Sequence, residues 1–493
     1  VSGDIVVSGG AGGVGARLQD LRSQAGLLDD AGDDVRAWSG SVAAVAVHQD
    51  VTVATLLCPV EVAQVAGAVA GATIGVNGLL IVSTGLEASA IVLRASATTY
   101  EFVDATQQQV MEALQHAAGF ALGAALPGLV LGGGVLLVGG GLVVLGNPAT
   151  WPALALAVQN VDLAALGDGA MDALYDNPWL LESLTKVAPS LVQGTTWSLG
   201  SLLGGPLGGL ALPYVLSGGK WPTASYEDAV GGLVNAGGMF GMFGDTGEMG
   251  VSLAETLGPD RAPTSVEEIF QQQNMLGADQ GEVQIVQVTN PDGTSSYIVQ
   301  IPGTQEWGPQ RGSNPVDLTT NVRLMAGDST LMQQQVAQAM REAGIRPGDP
   351  VMLTGHSQGG ITAAALASDP AFREEFAVRS VVTGGSPIAR FDIPPDVSVL
   401  SLEHDQDAVP MLEGRENPDR ANWVTVERDL GTAANGVLPD ASVGAAHGTD
   451  VYAQTGAMVD ASDDPSVQAW REGAQQFFTG EPGTVTRWDV STR

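Results

Sequence analysis

Val351-Met352-Leu353-Thr354-Gly355-His356-Ser357-Gln358-Gly359-Gly360-Ile361-Thr362-Ala363-Ala364-Ala365-Leu366-Ala367 is the stretch on which the fold turns. Val351–Leu353 is a short apolar run of strand type, and the residues from Gly360 onward open a helix of small side chains. Between them lies one Gly-x-Ser-x-Gly pentapeptide. Strand, sharp turn and helix together are the setting in which this pattern lifts a serine hydroxyl above the end of a sheet. With 66 glycines in the chain the letters alone could arise by chance. The pattern occurs once, however, and in that setting. Gly355, His356 and Gly359 are therefore read as the frame of a strained elbow around Ser357.

A serine hydroxyl needs a base to take its proton and a carboxylate to orient that base. In α/β-hydrolases the three follow in chain order Ser, Asp or Glu, His. Five histidines make the search short. His48, His116 and His356 do not follow the elbow, whereas His404 and His447 do. The acid is expected just beyond a strand, and Val397–Leu402 reads as that strand, running into Glu403-His404-Asp405-Gln406-Asp407-Ala408-Val409-Pro410. An acid in this segment leaves His447 as the base, in a small-residue loop before a C-terminal helix, and makes His404 a polar residue at a strand end. Asp407 is the favoured acid because Val409-Pro410 ends the segment rigidly. Asp405, and after it Glu403, are the alternatives.

An oxyanion site needs two main-chain N–H groups. Gln358, the residue after the serine, supplies one. The other is sought after an earlier strand. Glu282–Thr289 and Ser295–Ile301 read as strands around the hairpin signal Asn290-Pro291-Asp292-Gly293. The second strand ends in Pro302-Gly303-Thr304-Gln305. Thr304 is the candidate donor, and Gln305 the alternative.

Ile301-Pro302-Gly303-Thr304, the elbow Gly355–Gly360, Gly384-Gly385-Ser386-Pro387, Asp407-Ala408-Val409-Pro410 and His447 with Tyr452 together resemble the class 3 (fungal-type) lipases and their bacterial relatives. Ala408 departs from the Pro usual there, and no lid segment is recognisable. The resemblance spans about 264–480. It implies an α/β-hydrolase sheet and cleavage of carboxylic esters or lipids without a cofactor or metal.

The rest of the chain is read from composition. Twenty Lys and Arg against 54 Asp and Glu give a formal charge of −34, which repels phosphate backbones and excludes nucleic acid as a partner. A single cysteine, Cys58, excludes an internal disulfide and a cysteine-rich metal site, and its apolar surroundings suggest a core thiol. The N-terminus lacks a charged n-region followed by an apolar h-region, so no general secretory signal is expected.

Residues 1–240 are rich in Ala, Gly, Val and Leu. Val14–Ala37 carries apolar residues at helical spacing and is expected to stop at Trp38-Ser39-Gly40. A second helical stretch covers about 60–117, with a break near 75–78. Trp38 and Gly40, with Tyr100 and Asp104 four residues apart on one helix face, resemble the WXG family of type VII secretion substrates. That resemblance implies a helical hairpin over 1–116, export by a non-classical route with a secretion-machinery or helical partner, and a secreted or envelope location, with a cytoplasmic one as the alternative. Gly10-Ala11-Gly12-Gly13-Val14-Gly15 has the letters of a dinucleotide loop but no βαβ unit follows it. It is read as a flexible leader.

Ala117–Gly146 has no charged residue and is long enough for a bilayer. It is read as a buried or membrane-contacting segment. Leu199–Gly219 is a shorter run of the same kind. The expected organisation is thus α/β: a helical 1–116, an apolar Gly-rich 117–241, a linker at 242–263, an α/β-hydrolase domain over 264–480 opened by a capping box at Ser265 and Glu268, and a tail at 481–493. Two other functions fit the same residues: a secreted phospholipase-type effector, and a secretion-associated scaffold carrying an inactive hydrolase.

Overall fold

The computed structural model describes residues 5–54, 57–74, 78–91, 93–94, 98, 120, 137–138, 141–142, 178–223, 225–276, 281–431 and 442–492. Two compact units result. One is Val14–Val110. The other joins Val1–Gly13 to Met111–Arg493.

The first unit is helical: α1 (Val14–Ala46), α2 (Gln49–Ala54), α3 (Pro59–Ile74) and helical residues 79–91. Arg36 pairs with Glu87, and Arg94 with Asp29, so α1 and residues 79–94 run antiparallel. The buried side chains are small: Ala25 and Ser39 of α1, Thr73 of α3, and Ser83 and Ala90. Large apolar residues such as Leu57, Val60, Ile74 and Ile91 are exposed. Among the described residues, Pro59–Ile91 is the helix long and apolar enough to cross a membrane. The expected stop at Trp38-Ser39-Gly40 is not there, because α1 runs through it to Ala46. One glycine costs a helix only about 1 kcal/mol, Ser39 is buried, and the chain turns at 47–58 instead. Cys58 is half-buried, its thiol facing the Ala54 carbonyl rather than a core. Tyr100 and Asp104 lie outside the described residues. So does 117–146, apart from Phe120 and a ribbon pairing Leu137–Val138 with Gly141–Leu142.

The second unit is built on nine strands: β1 (Val6–Gly9), β2 (Met249–Leu257), β3 (Glu282–Thr289), β4 (Ser295–Ile301), β5 (Pro350–His356), β6 (Ala377–Gly384), β7 (Ser398–His404), β8 (Trp423–Arg428) and β9 (Glu481–Thr492). They form one sheet in the order β1-β8-β7-β6-β5-β4-β3-β9-β2. The block β8-β7-β6-β5-β4 is parallel, and the flanking strands pair antiparallel. Successive residues of a strand point to opposite faces. Val351 and Leu353 accordingly enter one core while Met352 enters the other, as Val299 and Ile298 do. Both faces are covered, which is why these strands read as continuous apolar runs.

Three expectations are corrected here. The 242–263 linker contains β2, and the 481–493 tail contains β9, a strand lying between β3 and β2. A register shift between Arg487 and Trp488 breaks the period-two alternation of β9, hiding it from pattern reading. The glycine-rich leader is also structured. β1 pairs with β8, and Ser466 Oγ accepts from Gly12 N and donates to the Gly9 carbonyl. A Cβ on Gly10 would lie 2.6 Å from that of Ser466, so the glycine is needed for contact.

Two helices precede β2. In α4 (Pro178–Leu216), Gly204 and Gly205 leave helical geometry and divide it into two arms that touch at Gly200 and Gly208. Next comes α5 (Tyr226–Gly238), capped by Ser225. Next to β3 is α6 (Val266–Gln273), capped by Ser265, with Glu268 accepting from Thr264 N. Between β4 and β5 come α7 (Leu318–Met325) and α8 (Leu331–Glu342). Beyond β5 are α9 (Gln358–Ser368) and α10 (Pro370–Glu375); beyond β8 are α11 (Val443–Ala446), α12 (Thr449–Asp460) and α13 (Pro465–Phe478). α5 packs on α4 and on α7, and α4 also packs on the turn Pro410–Glu413.

Candidate active site

Ser357 joins β5 to α9 at φ 54° and ψ −122°. Few non-glycine residues adopt this region, at a cost on the order of 1–3 kcal/mol. The surroundings hold it there. A Cβ on Gly355 would collide with the Gly359 carbonyl, and one on Gly359 with the Ile301 carbonyl, so only glycines let strand, turn and helix meet. Ser357 N donates to the Gly384 carbonyl at 3.0 Å, and Ser386 Oγ donates to the Ser357 carbonyl at 2.9 Å. The elbow is thereby tied to the end of β6.

Asp407 follows β7 and is fully buried. His447 Nδ1 donates to Asp407 Oδ2 at 2.7 Å, the Tyr452 hydroxyl donates to the same oxygen at 2.7 Å, and Val409 N donates to Oδ1 at 2.9 Å. Asp407, not Asp405 or Glu403, is thus the carboxylate at His447. Asp405 is half-buried, and burial raises its carboxyl above the ordinary range with Asp429 adding to the shift. Glu403 is pushed up to about 7 by burial and by Glu427.

His404 fills the neutral, structural place expected of it. Its Nδ1–H donates to the Ala446 carbonyl and its Nε2 accepts from Thr455 Oγ1, both at 2.8 Å. It stacks on Tyr452 with ring centroids 3.8 Å apart, and burial holds it down at about 4. His356 also stays neutral, lowered first by burial and then by His447, whose ring centroid is 4.4 Å away. A Cβ on Gly385 would lie within 3.0 Å of both Asp407 and His447, so this glycine leaves room for the pair. Among the described residues no hydrogen bond joins Ser357 Oγ to His447. In unliganded sites such bonds are often long and tighten around substrate.

Backbone pairing separates the two oxyanion candidates. Gln305 N donates to the Val316 carbonyl at 2.9 Å and is occupied. Thr304 N and Gln358 N have no hydrogen-bond partner among the described residues. Thr304 is fixed at its side chain, where Asn321 Nδ2 donates to Oγ1 at 2.8 Å.

Trp38 and Gly40 belong to the helical unit and are described only within it. Among the described residues no cluster of His, Cys, Asp or Glu could hold a metal ion. A cleft of about 340 Å³ between α8 and α10, lined by Gln334, Gln338, Arg341 and Glu375 together with Met249, Leu366 and Phe372, shares no residue with the site. Sequence reading quoted Ser386 only within the turn Gly384–Pro387, and did not single out Asn321 or the buried ion group of Asp245, Arg311 and Asp317 beside the Pro302–Gln305 turn. No family model, curated protein or solved structure matches the chain.

Proposed function

We propose that the sheet unit is an α/β-hydrolase domain that cleaves carboxylic esters through an acyl-enzyme. The observation that carries this reading is a strained Ser357 at a strand–helix turn, beside a histidine held at 2.7 Å by a fully buried carboxylate. Ser357 Oγ attacks the ester carbonyl carbon while its proton passes to His447 Nε2. The carbonyl π bond becomes an oxyanion that accepts from Gln358 N and Thr304 N. As the intermediate collapses, the C–O bond to the alcohol breaks and His447 returns the proton to the leaving oxygen. Water then repeats the sequence on the acyl-enzyme. Asp407 keeps Nδ1 protonated and stabilises the imidazolium, and Tyr452 and Val409 fix that carboxylate.

Ser357→Ala is expected to abolish turnover of short p-nitrophenyl esters and labelling by a fluorophosphonate probe. Equal labelling of the variant and the wild type would sink the reading.

A lipid substrate is a second reading, favoured by one observation. The second arm of α4 exposes Leu207, Leu210, Tyr214 and Val215 in a segment, 199–219, that has no charged residue. Faster release of long-chain fatty acid from phospholipid vesicles than of short acids from soluble esters would favour it.

A further inference from the structure

The oxyanion loop has an unusual root. Glu306 and Asp317 form an isolated parallel bridge. Gln305 N and Glu306 N donate to the Val316 carbonyl, and Leu318 N donates to the Glu306 carbonyl at 2.8 Å. The same segment reaches the elbow, because Gln358 Nε2 donates to the main-chain carbonyl of Asp317 at 2.8 Å. Asn321, one turn into α7, holds the Thr304 hydroxyl. Residues 316–321 therefore brace both proposed oxyanion donors, Thr304 from one side and Gln358 from the other.

The brace is locked by charge. The loop 307–313 leaves the paired segments and returns, and it sends Arg311 inward. Arg311 forms an ion pair with Asp245, and its Nε lies 3.7 Å from Asp317 Oδ2. All three side chains are less than a tenth exposed. Asp317 Oδ1 also accepts from Thr320 N at 2.8 Å and caps α7, while Asp245 Oδ2 accepts from Leu331 N at 3.0 Å at the start of α8. One guanidinium thus stands between two buried carboxylates, each committed to a helix N-terminus. Removing the cation would leave two buried like charges facing each other, and such a pair relieves itself by moving apart or taking up a proton. Either response shifts Asp317, and with it the segment that sets the donor positions. Main-chain donors act only if they sit where the oxyanion forms, and a displacement near 1 Å can cost about 100-fold.

We propose that Arg311, clamped between Asp245 and Asp317, is a positioning residue for the oxyanion site; this rests on the ester-hydrolase reading above. Its effect is exerted on the transition state and not on substrate binding. The test measures kcat, KM and inhibition by a trifluoromethyl ketone on the full chain. In that adduct Ser357 Oγ bonds to the ketone carbon, its proton goes to His447, and the former carbonyl oxygen becomes an oxyanion in the same site.

Arg311→Met is expected to lower kcat roughly 10- to 100-fold and to weaken the ketone by a similar factor. KM should stay within about twofold, and Arg311→Lys should recover part of the loss. Gln358→Met cuts only the link to the Asp317 carbonyl and leaves the three charges in place. It is expected to shift kcat and ketone affinity together and carries the test if Arg311→Met does not fold. Variants whose kcat and ketone affinity stay within about twofold of wild type, whatever their thermal midpoint, overturn the proposal. An active wild type with unaffected variants removes this role alone. A wild type inert toward both esters and the ketone removes the ester-hydrolase reading and this role with it.

Discussion

Gly359 and Gly71 are the same residue doing opposite things in the two units. A Cβ on Gly359 would run into the Ile301 carbonyl, whereas one on Gly71, in α3, would meet nothing within 4 Å. The contrast extends to whole cores. The sheet unit buries Trp423, Tyr452, Phe270, Phe376 and Phe477 completely. Among its described residues the helical unit buries Ala25, Ala90, Ser39, Ser83 and Thr73, leaves Leu18, Leu21 and Leu28 half-buried, and exposes Leu57, Val60, Ile74, Ile91 and Trp38. Glycine richness therefore carries two meanings in one chain. Around the elbow it permits backbone to touch backbone. In the helices it leaves positions where a side chain could be added without collision, and where glycine only weakens the helix.

The sharpest way to break this comparison is Gly359→Ala. The added methyl meets main-chain atoms that cannot rotate away, so a loss on the order of 3 kcal/mol or more is expected, together with all esterase activity. Urea unfolding followed by tryptophan fluorescence measures the first; a variant as stable as wild type would show that the packed elbow can yield.

Next in size is Asp407→Asn, which should leave the sheet unit folded yet lower kcat by about 10⁴-fold by presenting the wrong partner to His447 Nδ1. Intact near-ultraviolet circular dichroism with that loss would separate chemistry from packing.

A smaller effect is a pH slope confined to the sheet unit. Glu413 is pushed up to about 8, chiefly by burial, while two main-chain donors, Ala389 N and Arg390 N, oppose the shift. Its folded value lies above its ordinary one of 4.5. The folded state therefore keeps a proton that the unfolded state loses, and stability from this group is full below about pH 4.5 and declines as pH rises toward about 8. Glu413→Gln should flatten that decline, read as unfolding midpoints across this pH range; an unchanged slope would mean the carboxyl ionises freely.

The smallest expected change is Gly71→Ala, worth roughly 0.5–1 kcal/mol to α3. Amide exchange in 59–74 should slow roughly two- to fivefold. Faster exchange would mean that this face is packed after all.

The grouping of Ser357, Asp407 and His447 was legible in the sequence because its signals are local or ordered along the chain. Strand, elbow and helix are contiguous, and few histidines compete for the base. Thr304 and Gln305 could not be separated in the same way, since what distinguishes them is one hydrogen bond to Val316, outside their own turn. Arg311 was invisible for a related reason. One partner, Asp245, lies 66 residues away and the other, Asp317, lies across a loop, and nothing in the residues between them marks an ion pair. β9 was lost because its bulge changes the face that alternate residues occupy. The supposed stop at Trp38-Ser39-Gly40 failed because a short motif was given more weight than the helix's own continuation.

The edge strands carry a consequence for how the chain acquires its shape. β1 precedes the other strands of the sheet but pairs with β8, and the Gly12–Ser466 contact closes a separation of 454 residues. β2 has β9 as its only neighbour in the sheet. Emerging from the ribosome N-terminus first, the chain must hold β1 open until β8 appears and β2 open until β9 appears. The sheet therefore completes only once β9 has been made, through long loop closures that are slow to form. Until then β2 is an unpaired edge, and any chaperone or translocase that takes up the chain meets it in a form that β9 has not yet sealed.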